Sequence, residues 1–257
     1  MARIQRIGLG VPLVVVLDRT RIGIGRRFRA LLRRNGYDVT RYPAPGSLWE
    51  TLSRLFERER VELVVDVGAH RGEYGVFLRD HGYRGAIHSF EPVPESAIAA
   101  AQRAAADGHW LVERRAVGAA PGSLELHVAH ASNLSSFRAP TQAGRTRFGA
   151  EADERTVVDV EVVRLADVID AAGGPAFLKS DTQGYDLEVV RGAEGVAGRF
   201  VGIQVELDIE ALYVGSPSLD DGLAELAALG FAPAGFWPVA RGPRGELLQL
   251  DAVFVRR

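Results

Sequence analysis

The sequence has no cysteine, one methionine and one lysine, Lys179, among its 257 residues. Without cysteine there is no disulfide framework, no thiolate metal site and no cysteine nucleophile, and a reducing, cytoplasmic setting is the expectation. Charge of one sign is lacking too. The formal net charge is −2 with acids and bases interspersed, so the basic surface that a nucleic-acid backbone requires is missing. Long hydrophobic runs are also absent. The longest near the start, residues 13–17, falls far short of the roughly 20 residues of a membrane span. Asp18-Arg19 follows it with no small-residue cleavage site, which argues against a signal peptide. The expected partner is a small molecule, neither nucleic acid nor membrane, and the oligomeric state is not legible.

What is present is ordinary for a globular chain: 47% hydrophobic and 25% charged residues, enough for one generous core preceded by an extension. Basic residues are almost all arginine. A lysine that survives such a bias is either a chance remnant or a site needing a compact ammonium group.

Residues 1–59 read as an adapter: the apolar run as a strand or buried turn, an Arg-rich segment from Arg26 to Arg34, a Pro-rich turn at 42–46, then a helix. Ser47 and Glu50 form an S-x-x-E capping box, and Leu48, Leu52, Leu55 and Phe56 recur on one helical face, which is expected to pack on the main domain. From 60 to 257 strands and helices alternate, the pattern of βαβ units and a mostly parallel, Rossmann-like α/β sheet. Strands are predicted near 61–67, 86–91, 110–117, 176–181 and 200–207, with helices near 72–81, 95–106 and 185–197. Another helix is predicted to start at Ser216-Pro217, with Pro at its first position, and to stop at Gly230. Strands near 231–236 and 247–255 close the domain as an antiparallel hairpin, giving seven strands in all. Residues 118–165 interrupt the rhythm with an antiparallel insertion, 123–129 and 156–164, joined by a polar loop.

The chemistry concentrates at strand ends. Val64-Val65-Asp66-Val67-Gly68-Ala69-His70-Arg71-Gly72-Glu73-Tyr74 is a buried-type strand running into glycines and then a helix, where a ligand can approach the backbone closely. Asp66, a carboxylate at a buried strand end, needs a partner, and an amino or hydroxyl group of a ligand would serve. One strand-helix-strand unit later, Glu91 in Ser89-Phe90-Glu91-Pro92 ends the second strand, where an acid suits a ribose diol. A dinucleotide pyrophosphate calls for G-x-G-x-x-G, but alanine stands at the second glycine and Asp66 would set negative charge beside the phosphates. A cofactor with a ribose and a cationic amino acid, S-adenosylmethionine, fits better. A nicotinamide-dependent oxidoreductase and a non-catalytic nucleoside-binding module remain the alternatives.

Together with Asn133-Leu134-Ser135-Ser136, Leu178-Lys179-Ser180-Asp181-Thr182-Gln183-Gly184-Tyr185-Asp186 and Val205-Glu206-Leu207, these segments resemble, in order and spacing, the FkbM-type methyltransferases from about residue 60 to the end. The resemblance implies a class I fold and methyl transfer from S-adenosylmethionine, mainly to hydroxyls of sugars and polyketide-like natural products. It implies that Asp66, Gly68 and Gly72 cradle the methionine part, with Ala69 and Tyr74 in the same segment, that Glu91 holds the ribose, and that Ser135 and Asp181 also border the cofactor. His70 stands where the family commonly has Asn, and Asp186 where it commonly has Glu. His70 is read as a solvated turn residue or a ligand contact.

Lys179 and Asp181 share one side of a strand and suggest an ion pair in a cleft. If the first and fourth strands are neighbours, the crevice lies where their carboxyl ends meet and Asp66 and Asp181 flank one pocket. Asp181 is the first choice for the base or acceptor-orienting group, followed by Glu206 and His130. Asp181 with Glu206 offers oxygen ligands to a divalent metal such as Mg²⁺, but two carboxylates are too few to favour one. Trp49, Trp110 and Trp237 read as core or rim residues.

Overall fold

The computed structural model describes residues 26–37 and 42–257, and the apolar run at 13–17 lies outside them. The chain divides into two compact units, Met1–Arg54 and Leu55–Arg257. The first holds helix α1 (Arg26–Arg34) and most of α2 (Leu48–Glu59). At the start of α2, Ser47 Oγ accepts the Glu50 N–H at 3.2 Å. The Glu50 carboxylate accepts from the Gly46 N–H at 2.6 Å rather than from Ser47, so the expected box closes one residue early. The last turn of α2 belongs to the second unit, where the Phe56 ring lies 5.1 Å from that of Phe177 and 5.4 Å from that of Tyr83.

The second unit continues with β1 (Leu63–Val67), α3 (Glu73–Asp80), β2 (Ala86–Phe90), α4 (Pro94–Ala104), β3 (Trp110–Glu113), β4 (Ala116–Val117) and β5 (Gly122–Ala129). It then carries α5 (Gln142–Phe148), β6 (Glu154–Val163), α6 (Leu165–Val168), β7 (Ala176–Ser180), α7 (Asp186–Arg191), β8 (Phe200–Asp208), α8 (Leu219–Ala228), β9 (Phe231–Arg241) and β10 (Leu247–Arg256). Seven strands form one sheet in the order β3-β2-β1-β7-β8-β10-β9. The first five are parallel, and β10 runs antiparallel between β8 and β9. This is the Rossmann-like sheet with an antiparallel C-terminal hairpin that the sequence predicts. Every residue of β7 is buried, as expected of a central parallel strand covered on both faces. On one face Val65, Val67, Leu178, Val205 and Leu207 pack with Val189, Val190 and Leu226 of α7 and α8. The other face meets the end of α2 and α3.

Four details differ from the sequence reading. The strand expected over 110–117 is two: β3 joins the main sheet, and β4 leaves it for a three-stranded sheet in the order β4-β6-β5, whose β5–β6 pair is the expected antiparallel insertion. The helix expected from Pro217 starts at Leu219, because Ser218 and Asp221 form a full capping box there. The helix expected over 185–197 is only the six residues of α7. The strand expected to end near 236 runs on to Arg241, tolerating Pro233 and Pro238 because β9 is an edge strand. Among the described residues no helix is long and apolar enough to cross a membrane.

β1 and β7 are direct neighbours, so the chain winds outward on both sides of them and leaves a crevice at their carboxyl ends. There the two connecting loops interlock. The Asp181 N–H donates to the Val67 carbonyl at 3.1 Å. A Cβ at Gly68 would stand 1.9 Å from the Asp181 carbonyl oxygen, and Gly68 has φ +73°. The space beside Gly68 is thus filled by protein backbone rather than kept for a ligand. Gly68→Ala is expected to destabilise the fold by about 2 kcal/mol or more, combining left-handed strain with overpacking. A wild-type urea midpoint for that variant would contradict the interlock.

Candidate active site

A row of polar side chains crosses the main sheet in register: Ser89, Asp66, Lys179 and Gln204, on β2, β1, β7 and β8. Trp110 Nε1 donates to Ser89 Oγ at 3.0 Å, and Ser89 Oγ donates to Asp66 Oδ2 at 3.1 Å. Lys179 Nζ sits 3.2 Å from Asp66 Oδ1 and 3.8 Å from Asp181 Oδ2, and donates to the Gly68 carbonyl at 3.1 Å. Burial alone would lower the Lys179 pKa, but the carboxylates of Asp66 and Asp181 reverse this and raise it. The ammonium therefore stays charged and ties both loops to the sheet. The expected Lys179–Asp181 pair exists, with Asp66 as the closer partner.

The crevice opens into a cavity of about 620 Å³, its open mouth included. Its wall includes Val67, Gly68 and His70 after β1, Glu91 and Val93 after β2, and Asp181, Thr182 and Gln183 after β7. The insertion adds an apolar side, Ala116, Val117, Leu126 and Phe137, and a polar rim, Ser132, Asn133, Ser135 and Ser136.

Among the candidate residues, Gly68, Glu91, Ser135 and Asp181 line this wall, whereas Asp66, Ala69, Gly72, Tyr74, Glu206 and His130 do not. Asp66 is fully buried and finds its partners, Lys179 and Ser89, inside the protein. Gly72, φ +84°, turns against the Trp110 ring. The Tyr74 hydroxyl donates to Gln204 Oε1 at 3.0 Å, beneath the crevice. Continued strand alternation would put His130 on the side of Leu126 and Val128. A register shift between Val128 and Ala129 breaks it, and His130 is exposed.

The histidine at the wall is His70. Its Nε2 lies 2.8 Å from Ser132 Oγ and its Nδ1 3.4 Å from Glu73 Oε2, joining the glycine turn to the polar loop. Burial lowers its pKa against the opposing pull of Glu73. Gln183 has no distinguishing signal in the sequence beyond the glycine after it, yet its Nε2 donates to Asp181 Oδ1 at 2.9 Å and to Glu206 Oε2 at 3.0 Å. The position between those carboxylates, where a shared cation would sit, thus holds an amide nitrogen. Among the described residues no group of three or more acid or imidazole side chains is placed to hold a metal. Burial, then Asp181 and Asp186, pushes the Glu206 carboxyl well above its usual range.

Glu91 is 5% exposed. Its Oε2 accepts the His70 N–H at 2.7 Å and its Oε1 the Val93 N–H at 2.8 Å. A carboxylate offers about four acceptor positions, so the backbone leaves room for two further donors from the cavity. That suits a ribose diol. Burial pushes the carboxyl up to about 7 against those two N–H groups.

Residues 66–232, well over half of the chain, match the family model described as the methyltransferase FkbM domain. The chain belongs to the FkbM methyltransferase family. It is accordingly an S-adenosylmethionine-dependent methyltransferase, and the oxidoreductase and binding-module alternatives fall away. A comparison with curated protein sequences returned no match. Among solved structures the FkbM chain is similar to magnesium protoporphyrin IX methyltransferase from Synechocystis PCC 6803 with bound S-adenosylmethionine, at 13% identity, 81% of this chain, 77% of that one and TM-score 0.45. It is also similar to an O-methyltransferase of neocarzinostatin biosynthesis (16% identity, 81% and 53% coverage, TM-score 0.42) and to mitomycin 7-O-methyltransferase (12%, 80% and 52%, 0.42). The chain spans about half the length of these last two, and none of the three bears on the acceptor.

Hydrogen bonds from a ribose would favour ionised Glu91, so binding there would lower the carboxyl's pKa and lose affinity as pH falls through 7. S-adenosylhomocysteine affinity is expected to weaken between about pH 8 and about pH 6. Glu91→Gln is expected to remove that dependence and to cost about 1.5–3 kcal/mol at the higher pH. Calorimetry at both pH values checks this, and a pH-independent wild type with an unaltered variant would contradict it.

Proposed function

We propose that the enzyme transfers the methyl group to a hydroxyl oxygen of a small molecule, a sugar or a polyketide-like natural product, with Asp181 as the group that orients the hydroxyl and takes its proton. The observation that carries this reading is the placement of two carboxylates on one cavity wall. Glu91 is buried and engaged by backbone N–H groups, while Asp181 keeps 39% of its side chain exposed at the end of β7, two strands away. The first suits the cofactor ribose and the second an acceptor.

When bound, the cofactor supplies a sulfonium-borne methyl group, which bonds to the acceptor oxygen as the carbon–sulfur bond breaks and its electron pair stays on sulfur. The chain's own residues do the rest. Glu91 fixes the nucleoside, and the Gly68 turn, pinned by Lys179, fixes the floor. Asp181 aligns the hydroxyl and accepts its proton late, because an alkyl hydroxyl is too weak an acid to ionise first. Positioning is the larger contribution, with proton acceptance adding roughly 10²–10⁴-fold. A lining that combines Val117, Leu126 and Phe137 with serines suits an acceptor with a carbon skeleton and several hydroxyls. The sugar or polyketide class itself rests on the family resemblance.

Asp181→Asn keeps the shape and removes the charge. Turnover is expected to fall about 10²-fold while S-adenosylmethionine affinity changes by less than about 1 kcal/mol. The measurement is labelled-methyl transfer onto a panel of glycosides and polyketides, with a chelator control. Wild-type turnover in the variant would remove Asp181 from the mechanism, and loss of wild-type activity on chelation would assign the acid pair to a metal.

A further inference from the structure

Gln183 is a non-glycine residue in the left-handed region, φ +54°, followed by Gly184 at φ +89°. Such a conformation is strained and persists where its surroundings over-determine it. The surroundings here do so. Besides its bonds to Asp181 and Glu206, its Oε1 accepts from the Tyr213 hydroxyl at 3.0 Å, and its carbonyl accepts from Ser136 Oγ at 2.7 Å. The Tyr213 hydroxyl also lies 3.1 Å from the Leu134 carbonyl. The amide orientation follows from Asp181, since a flip would set its oxygen against that carboxylate. One residue thus links Asp181, the buried end of β8 and the polar loop.

We propose that Gln183 is the positioning residue of the methyl transfer: by donating one N–H to Asp181 and the other to Glu206, it holds Asp181 in the rotamer that faces the acceptor. The inference rests on the reading of Asp181 as the proton acceptor. The second N–H, to Glu206, anchors the amide to the buried sheet, so the Asp181 carboxylate is held by the sheet rather than by its own mobile loop. A donor to a carboxylate also stabilises the ionised form that proton acceptance needs.

Two near-isosteric variants test this. Gln183→Met removes both donors, and Gln183→Glu replaces them with a third acid. Both are expected to lower kcat about tenfold or more, to leave KM for S-adenosylmethionine within about twofold of wild type, and to move the acid limb of the kcat–pH profile to higher pH. The charged groups around Asp181, namely Lys179, His70, Asp186, Glu206 and Asp251, are retained in Gln183→Met, so its shift reports the amide. A merely structural role gives a lower unfolding midpoint with kcat and the acid limb unchanged, and would overturn the inference. If Gln183→Met fails to fold, Gln183→Leu, which likewise adds no charge, decides on the same criteria. Asp181→Asn on matched preparations separates the failures. If it loses turnover while the Gln183 variants keep theirs, only the positioning role falls; if it keeps turnover, the base assignment falls first.

Discussion

The contact on which the site depends is the buried ion pair between Lys179 on β7 and Asp66 on β1, 3.2 Å apart in the middle of the sheet. Taking either charge out of water is costly. The pair is sustained because Ser89 donates to Asp66 and the Gly68 carbonyl accepts from Lys179. Removing one partner of such a pair leaves the other uncompensated and typically costs 3–5 kcal/mol. Its placement matters more than its strength. β1 and β7 are the strands at which the winding reverses, so a bond between their carboxyl ends fixes the width of the crevice. The same ammonium reaches toward Asp181, so the loop bearing the proposed proton acceptor and the loop bearing the glycine turn are set by one group.

Charge is distributed accordingly. Asp66 and Lys179 neutralise each other below the floor of the cavity. Around Asp181 the remaining acids are pushed upward: Glu206 well above its usual range, Asp186 to about 7 and Asp251 to about 6, in each case chiefly by burial and next by Asp181 itself. Among this group it is Asp181 that reaches the cavity. The Gln183 amide lies between Asp181 and Glu206 and donates to both.

The sheet was legible because its evidence is local. A β-branched run at 63–67, an apolar one at 176–178, glycine stops and alternating strands and helices predict which segments form the parallel strands. The break of 110–117 into two strands was not legible, since both pieces are equally apolar and only the pairing of Ala116 with Val162 separates them. At the site, Glu91 and Asp181, which line the cavity, stand out in the sequence because acids at strand ends are conspicuous. Asp66 was noticed for the same reason, but its partner is a lysine more than a hundred residues away in sequence rather than a ligand. Gly68 was expected to make room for a ligand, and makes room for the Asp181 carbonyl. His130 and Gln183 mark the limit of such reading. A one-residue register shift turned the first to solvent, and three tertiary hydrogen bonds, invisible in any local pattern, gave the second its place.

The central claim is that the Lys179-pinned crevice holds the cofactor nucleoside on Glu91 and faces its sulfur toward Asp181. A crystal structure of the S-adenosylhomocysteine complex tests it most directly. The expected result has the ribose hydroxyls within hydrogen-bond distance of the Glu91 carboxylate, the Asp66–Lys179 pair intact beneath the Gly68 turn, and the sulfur on the side of the cavity that Asp181 lines. A ribose bound away from Glu91, or a sulfur turned away from Asp181, would contradict the account.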